Sequence, residues 1–482
     1  MENTVLCNQG YIINKSDIDE KILKNIKSEL KVKPFIPGSR GKFVKGFKIY
    51  LENDYKLCLP KFYGLQKFGN PKLEDFISSK DINLKFVGDL RDYQINVINT
   101  VIPKIKNQEG GTISLPPGRG KTVIACKIIS ELKKKTLVIV HKTFLLNQWK
   151  NRIEQFLPGA QVGKIQAQEF DTTDKHIVIG MLQTLSLKNS YPDDIFDDFG
   201  CIIFDECHHL SAEKFSQILR KVSVPYMIGL SGTPFRNDKL EKVFEYYIGN
   251  MLYYEKPSVK QEILVKIYKF SMKHEKFQIV FNKYTNEAQI ATMITNIVEL
   301  VERNKFLVGL IQECRENKAR KILVLSDRID HLNYMKDRVD ELDIGTTSKY
   351  IGGMKQEKLD IAEEADIIFS TYSMSSEALD ISSLNTIILS TSRRNVEQSV
   401  GRILRKQEGH LAQPLIIDIV DNLKVFVNQG YTRKAYYKKI TDISNINNYE
   451  YNEGEIKDIT PKIDESKNKS VNVPLFADSD SE

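Results

Sequence analysis

The residues Leu115-Pro-Pro-Gly-Arg-Gly-Lys-Thr122 have the composition of a phosphate cradle. Gly118 and Gly120 let the backbone turn its N–H groups inward around phosphate oxygens, and the helix opening at Thr122 adds the partial positive charge of its N-terminus. Pro117, Gly118, Arg119 and Gly120 then line the cradle, Lys121 reaches the β- and γ-phosphates, and the Thr122 hydroxyl ligates Mg²⁺. The full pattern asks for Gly at 115, where this chain has Leu. A purely structural Gly-Lys-Thr turn is therefore the alternative. A second feature bears on the choice: the apolar run Cys201-Ile-Ile-Phe204 ends directly in Asp205-Glu206. At the carboxyl edge of a parallel sheet, where ligands bind, Asp205 can hold Mg²⁺ and Glu206 can polarise an attacking water as general base. Two adjacent carboxylates in a solvated loop are the bland alternative. A third feature lies far downstream, in Gln398-Ser-Val-Gly-Arg402-Ile-Leu-Arg405. Arg402 and Arg405 are three apart and share a helix face, so both can spread the charge of a transferring γ-phosphoryl group, with Gln398 beside them; a basic surface helix is the alternative.

These groups need strands to aim them. Short β-branched runs recur at 111–115, 136–140, 176–179, 201–204 and 226–230, separated by helical patterns at 122–133, 143–156 and 211–222. That alternation predicts a parallel sheet flanked by helices. A second set comes at 321–325, 350–351, 365–369, 386–389 and 414–419. The fold class expected is α/β, with two tandem lobes of parallel sheet and flanking helices, a small N-terminal α+β module and a flexible acidic C-terminal tail. The boundaries read as 1–86 for the N-terminal accessory module, 87–252 for the first lobe, 253–312 for a bridge, 313–444 for the second lobe and 445–482 for the tail. Within the module, 16–30 reads as a helix capped at Ser16-Asp17, and 43–59 as a hairpin turning at 52–54. The bridge reads as a strand pair and then helices.

Composition narrows the class. Hydrophobic residues are 41% and charged residues 28% of the chain, which describes a folded globular protein. No apolar run approaches the roughly 18 residues of a membrane span, and Met1–Lys15 lacks the order of a secretory signal, so a cytosolic or nuclear protein with no membrane partner is expected. The six cysteines contain no C-x-x-C pair, which argues against a disulfide framework or zinc ribbon. Net charge is +7, with one basic-aromatic block at Lys424, Phe426, Tyr431, Arg433, Lys434, Tyr436, Tyr437, Lys438 and Lys439. Contact with a polyanion and a plain solvated face are both open readings of that block.

The order of these segments resembles the superfamily 2 helicases, which implies that the two lobes are tandem RecA-like P-loop lobes. Asp205-Glu206-Cys207-His208 looks like the DECH form of their motif II. Leu90-Arg-Asp-Tyr-Gln94 resembles the Q-type motif, which implies that Gln94 reads adenine with Arg91 assisting. Leu230-Ser-Gly-Thr-Pro234 resembles motif III, in which Ser231 and Thr233 couple the lobes, with His208 joining nucleotide to neighbouring loops. His141-Lys142-Thr-Phe144 and Gln183-Thr184-Leu185 resemble the backbone-facing motifs Ia and Ib. In the second lobe, Lys321 to Arg328 (with Ser326), Tyr350-Ile-Gly-Gly353 and Thr371 through Asp380 resemble further backbone-contact loops and motif V, with Asp380 at the nucleotide edge; Ala378 stands where the family usually has Gly. The narrower likeness is to the XPB and phage UvsW-like DNA translocases and to helicases of large cytoplasmic DNA viruses, including the poxvirus transcript-release helicase. It rests on Pro60-Lys-Phe-Tyr-Gly-Leu-Gln66, Thr391-Ser-Arg-Arg-Asn395 and the block after Ile419.

The resemblance implies an ATP- and Mg²⁺-dependent enzyme that acts on nucleic acid, with DNA favoured over RNA. It also implies an RNA polymerase or a transcription or repair complex as partner, and for a viral protein the host cytoplasm and virion. A monomer is compatible with all of this. The rivals are a DEAD-box-like RNA helicase and a non-catalytic nucleic-acid clamp closed by ATP.

Overall fold

The computed structural model describes residues 3–34, 45–77, 79–116, 118–187, 193–207, 213–232, 240–255, 260–354, 356–377, 381, 383–401 and 412–461. The chain divides into two compact units, Met1–Ser258 and Val259–Glu482.

In the first unit an eight-stranded sheet runs, edge to edge, Glu169–Phe170, Val162–Gln166, Ile177–Met181, Thr136–Val140, Cys201–Phe204, Tyr226–Ser231, Gly110–Ser114 and Met251–Tyr254. All neighbours are parallel except at the Glu169–Phe170 edge. Four inner strands, Gly110–Ser114, Thr136–Val140, Ile177–Met181 and Cys201–Phe204, are buried along their whole length, as parallel strands covered on both faces must be. Val138, Val140, Ile177, Ile179, Ile203 and Ile228 face the helices Asp92–Gln108, Lys121–Leu132 and Thr143–Phe156. Leu137, Ile139, Val178, Ile202, Phe204 and Met227 face the other way, into a core shared with Leu6, Tyr11, Ile13, Leu57 and Tyr63 of the N-terminal segment.

That N-terminal segment is a five-stranded sheet welded to the lobe. Lys61 is buried there, its Nζ donating to Glu109 Oε2 at 2.8 Å and to the Pro225 carbonyl at 2.8 Å. A Cβ on Gly64 would stand 2.2 Å from the Tyr11 ring, so the Pro60–Gln66 signal has a packing cause. Two local expectations shift. The helix is Glu20–Glu29, capped by Asp19, whose carboxylate accepts the Lys21 N–H, because Lys15–Asp17 is spent on a 3₁₀ turn. The hairpin is Leu51–Glu52 with Lys56–Leu59, its turn closed by Asn53 Oδ1, whereas Phe47–Lys48 pairs with Lys31–Val32.

The second unit repeats the plan. Its sheet runs Thr347–Tyr350, Ile367–Thr371, Ile322–Ser326, Thr386–Leu389, Leu415–Asp421, Leu264–Ser271, Ile446–Asn452 and Glu455–Asp458, parallel throughout except for the last pair. Two expectations are overturned here. The strand pair foreseen in the bridge does not form, since Met251–Tyr254 completes the first sheet and Leu264–Ser271 sits inside the second. Nor does chain order stop at 445: Tyr449 and Tyr451 stack on Tyr268 and Phe270 at 4.9 and 4.8 Å between centroids, which pins 446–452 as a strand that composition alone hid. Residues 462–482 lie outside the described residues.

Two buried ion pairs brace this unit. Arg303 chelates Asp421 at 2.7 and 2.9 Å and donates to the Ser390 carbonyl at 2.7 Å. Arg433, 1% exposed, pairs with Asp418 at 2.8 Å, donates to the Arg393 carbonyl at 2.6 Å, and shares Asp418 with the Tyr437 hydroxyl. Arg433→Ala would leave Asp418 charged in an apolar strand, so a loss of about 3–5 kcal/mol is expected in a denaturant melt. Among the described residues no helix is long and apolar enough to cross a membrane.

Candidate active site

The strand order brings the first two chemical features together. Gly110–Ser114 and Cys201–Phe204 flank Tyr226–Ser231, and all three end at one carboxyl edge, with Phe204 opposite Gly229 and Ser114 opposite Ser231. The glycine-rich loop, Asp205-Glu206 and Ser231-Gly232 leave these three strand ends and therefore converge.

The loop has cradle geometry. Gly118 and Gly120 have φ of 82° and 69°, in the left-handed region. A Cβ at Gly120 would also stand 2.5 Å from Gln94 Nε2. Leu115, the departure from pattern, is fully buried in the helix-facing core, and its N–H donates to the Ser231 carbonyl at 3.0 Å. The loop thus begins with an apolar anchor at 115, and its turning is done by Gly118 and Gly120. Pro117 lies outside the described residues. Arg119 is fixed from two sides, with Nε donating to Glu255 Oε1 at 2.8 Å and its guanidinium 4.1 Å from the Tyr93 ring centroid.

Lys121 opens the helix and its Nζ reaches Glu206 Oε1 at 2.7 Å, with both side chains mostly shielded. Glu206 itself has φ of 51°, a conformation costly for a side chain with a Cβ and one that clusters at functional sites. Its other oxygen accepts the Gly232 N–H at 3.4 Å. Burial and the Glu206 charge push the Asp205 carboxyl above the usual carboxylate range, while Lys121 and Trp149 pull it back.

Trp149 is a site residue to which no sequence motif points. The only tryptophan of the chain, it lies on the Thr143–Phe156 helix, 1% exposed, and its Nε1–H donates to Asp205 Oδ2 at 2.8 Å. A buried indole N–H needs an acceptor, which was the available signal. The donors at this edge, the Thr122 hydroxyl and the Asp205 carboxylate, are hard oxygens of the kind Mg²⁺ takes. Cys207 is buried against Gly229, and burial pushes its thiol pKa up. Among the described residues there is no His/Cys/Asp/Glu cluster fit for another metal.

Gln94 is buried, accepting the Arg91 N–H at 3.0 Å and donating to the Arg119 carbonyl at 3.4 Å, so it straps the cradle to the Asp92–Gln108 helix. Arg91 is exposed, with Nη1 on the Tyr93 hydroxyl. Lys142 and Phe144 are half-buried where the Thr143–Phe156 helix begins, and Gln183 is exposed with its amide on the His141 carbonyl. His141 is buried, as is Thr184, whose hydroxyl accepts the Ala167 N–H. Ser231 is buried at its strand end. His208 and Thr233 lie outside the described residues.

In the second unit Ser326, Thr371 and Leu389 also end parallel strands at one edge. Ser326 is fully buried, its hydroxyl bonded to His331 and to the Arg328 N–H, so its side chain holds the loop rather than meeting a ligand. Arg328 reaches Thr295 and the Ala291 carbonyl. Gly353 has φ of 84° with open space where a Cβ would stand, and Thr371 is half-buried. Thr391 to Arg393 are clamped by the Tyr372 hydroxyl, Asp327 and Arg433, which fixes the approach to the Glu397–Val400 helix that carries Gln398. Asp380, Arg402 and Arg405 lie outside the described residues.

A glycine-turned loop and paired carboxylates at the edge of one parallel sheet, with a second sheet of the same plan downstream, define a protein of two tandem RecA-like lobes. Residues 88–236 match the family described as the res subunit of Type III restriction enzymes. A protein of Acanthamoeba polyphaga mimivirus, named as a putative ATP-dependent RNA helicase, is 38% identical over 442 residues, 89% of this chain and 84% of the relative. An African swine fever virus protein with the same kind of name is 26% identical over 374 residues, 73% of each chain. In fold, the chain is similar to a DNA-bound ATP-dependent Type ISP restriction-modification enzyme, LlaBIII, with a TM-score of 0.54 at 16% identity, over 76% of this chain and 32% of that one. The chain belongs to the superfamily 2 helicases of large DNA viruses, and it is an ATP-dependent helicase.

Proposed function

We propose that this chain is a DNA translocase in which ATP held by the first lobe drives motion along a nucleic-acid backbone, in the service of transcript release or of recombination and repair. The observation that carries the reading is the meeting of Lys121, Glu206 and the Trp149-held Asp205 at one sheet edge. On this reading Pro117 through Thr122 cradle the phosphates, with Lys121 on the β- and γ-oxygens. Glu206 takes a proton from the attacking water. Gln94 and Arg91 take the adenine, and Asp380 organises the nucleotide edge. Thr122 and Asp205 hold Mg²⁺, which when bound neutralises phosphate charge. Arg402 and Arg405, with Gln398, complete the site from the second lobe. His208, Ser231 and Thr233 transmit the nucleotide state.

Lys142, Phe144, Gln183, Arg328, Gly353 and Thr371 line the backbone path, with the buried His141 and Thr184 supporting its loops, which makes binding sequence-tolerant and salt-sensitive. The domains are then an accessory module at 1–86, a first lobe from 87 through the Met251–Tyr254 strand, and a second lobe that takes in Leu264–Ser271 and the strands Ile446–Asn452 and Glu455–Asp458 beside 313–444. An RNA polymerase or repair complex is the proposed partner of a monomer inside the infected cell.

Trp149 orients a ligand of the metal, and such support is typically worth about 10–100-fold in metal affinity. Trp149→Phe, which keeps an aromatic ring and removes the donor, is expected to raise half-saturating Mg²⁺ for ATP hydrolysis by about tenfold, measured by Mg²⁺ titration.

A second reading is RNA as substrate, favoured by the names of the mimivirus and African swine fever virus relatives. Steady-state ATPase measured with single-stranded DNA, duplex DNA, branched DNA and RNA separates the two. The DNA reading expects the largest stimulation by DNA; stimulation by RNA alone would replace it.

A further inference from the structure

The helix Lys424–Ile440 comes directly after the Leu415–Asp421 strand, and its seventeen residues include no carboxylate. Its inward side is fixed by packing: Phe426, Gly430, Arg433, Tyr437 and Ile440 are buried, and Arg433 is consumed by Asp418. At 100° per residue the outward side carries Lys424, Asn428, Tyr431, Ala435, Lys438 and Lys439, all within about 100° of arc. All six are exposed, Tyr431 to 67%. Among the described residues none of these three lysines has a carboxylate partner. Three nearby carboxylates are engaged elsewhere, Asp421 by Arg303, Asp442 by Lys260 at 2.9 Å and Glu450 by Lys269 at 3.3 Å, and Glu397 lies toward Tyr436 on another side of the helix.

What sets this stripe apart is three lysines on one exposed face of a helix without a carboxylate, and that positive charge is complementary to a polyanion. We propose that this stripe is a phosphate-backbone contact for a nucleic-acid duplex, built on the second lobe outside the motor motifs. The choice of duplex comes from rigidity. The stripe is straight and about 21 Å long from Lys424 to Lys438, and it offers one aromatic ring rather than the series of stacking platforms that a flexible single strand uses. A duplex presents phosphates at fixed spacing to a fixed row of cations, and the Tyr431 hydroxyl can donate to a phosphate oxygen between them. The proposal rests on the nucleic-acid motor reading above and adds a substrate form and a place to it.

The test uses the full chain without nucleotide. Binding to a blunt DNA duplex and to one of its single strands is measured from about 0.05 to about 0.3 M salt, with wild type and the triple variant Lys424→Gln, Lys438→Gln, Lys439→Gln. The expected result is duplex affinity about tenfold or more lower near 0.15 M, with the salt slope smaller by about 2–3. Single-strand affinity should change less than twofold, and a triple Lys→Arg variant should restore duplex binding. ATPase without nucleic acid should stay at the wild-type rate, which shows that the variant is folded. Unchanged duplex affinity and slope in a variant with that ATPase intact would overturn the proposal and leave the stripe to a protein partner. Equal losses on duplex and single strand would overturn the duplex assignment. Failure of the motor reading is separate, since it would appear as wild-type ATPase indifferent to every nucleic acid.

Discussion

Glu206→Gln is expected to slow ATP hydrolysis by about 10²–10⁴-fold while leaving ATP binding within a few-fold of wild type. The carboxylate is held in a left-handed backbone conformation, with one oxygen on Lys121 Nζ at 2.7 Å and the other near the Gly232 N–H. Such a conformation is kept only where the surroundings enforce it, and here they aim the carboxylate over the end of the cradle. In the proposed cycle the γ-phosphate competes with Glu206 for Lys121, so nucleotide binding frees the base as it delivers the substrate. Glutamine preserves shape and hydrogen bonding but accepts no proton. Single-turnover hydrolysis measured beside equilibrium binding of a labelled nucleotide separates the two effects. Equal single-turnover rates in wild type and Glu206→Gln would favour the non-catalytic clamp instead.

Arg405→Ala is expected to lower nucleic-acid-stimulated kcat by about 10³–10⁵-fold, and Arg402→Ala to act in the same direction, with ATP affinity little changed. The effect belongs to the transition state, where charge spreads over the equatorial oxygens of the γ-phosphoryl group. A loss confined to KM would assign these arginines to ground-state binding. The comparison is steady-state kcat and KM for ATP at saturating nucleic acid. Upstream of them, Thr391 to Arg393 are clamped by Tyr372, Asp327 and Arg433. Arg433→Ala should therefore disturb kcat as well as stability, whereas Lys438→Gln should do neither.

The strands of both lobes were legible because a parallel strand buried on both faces is a continuous apolar run: Cys201–Phe204 and Thr386–Leu389 stand where their composition placed them. The glycine turn at 118–120 and the Asp205-Glu206 pair at the sheet edge were legible because each is local in sequence. What was hidden depends on pairing between distant segments. Trp149 and Asp205 are 56 positions apart, and only the sheet brings them together. The strand Ile446–Asn452 has too polar a composition to declare itself, and is held by aromatic stacking on Leu264–Ser271. The basic block at 424–439 reads as one feature in sequence and is two in the fold. Asp418 and Asp421, carboxylates inside an otherwise apolar strand, were the available sign that buried cations would answer them, since a buried charge without a partner is too costly to keep. Arg433 and Arg303 do so, which leaves only the outward lysines to meet a partner.

The most direct test of a motor driven from this cradle is steady-state ATP hydrolysis by wild type and Lys121→Ala, each with and without saturating duplex DNA. Wild-type turnover is expected to rise severalfold or more with DNA, while Lys121→Ala still binds DNA without nucleotide but has no stimulated turnover. Undiminished stimulated turnover in Lys121→Ala would contradict the motor.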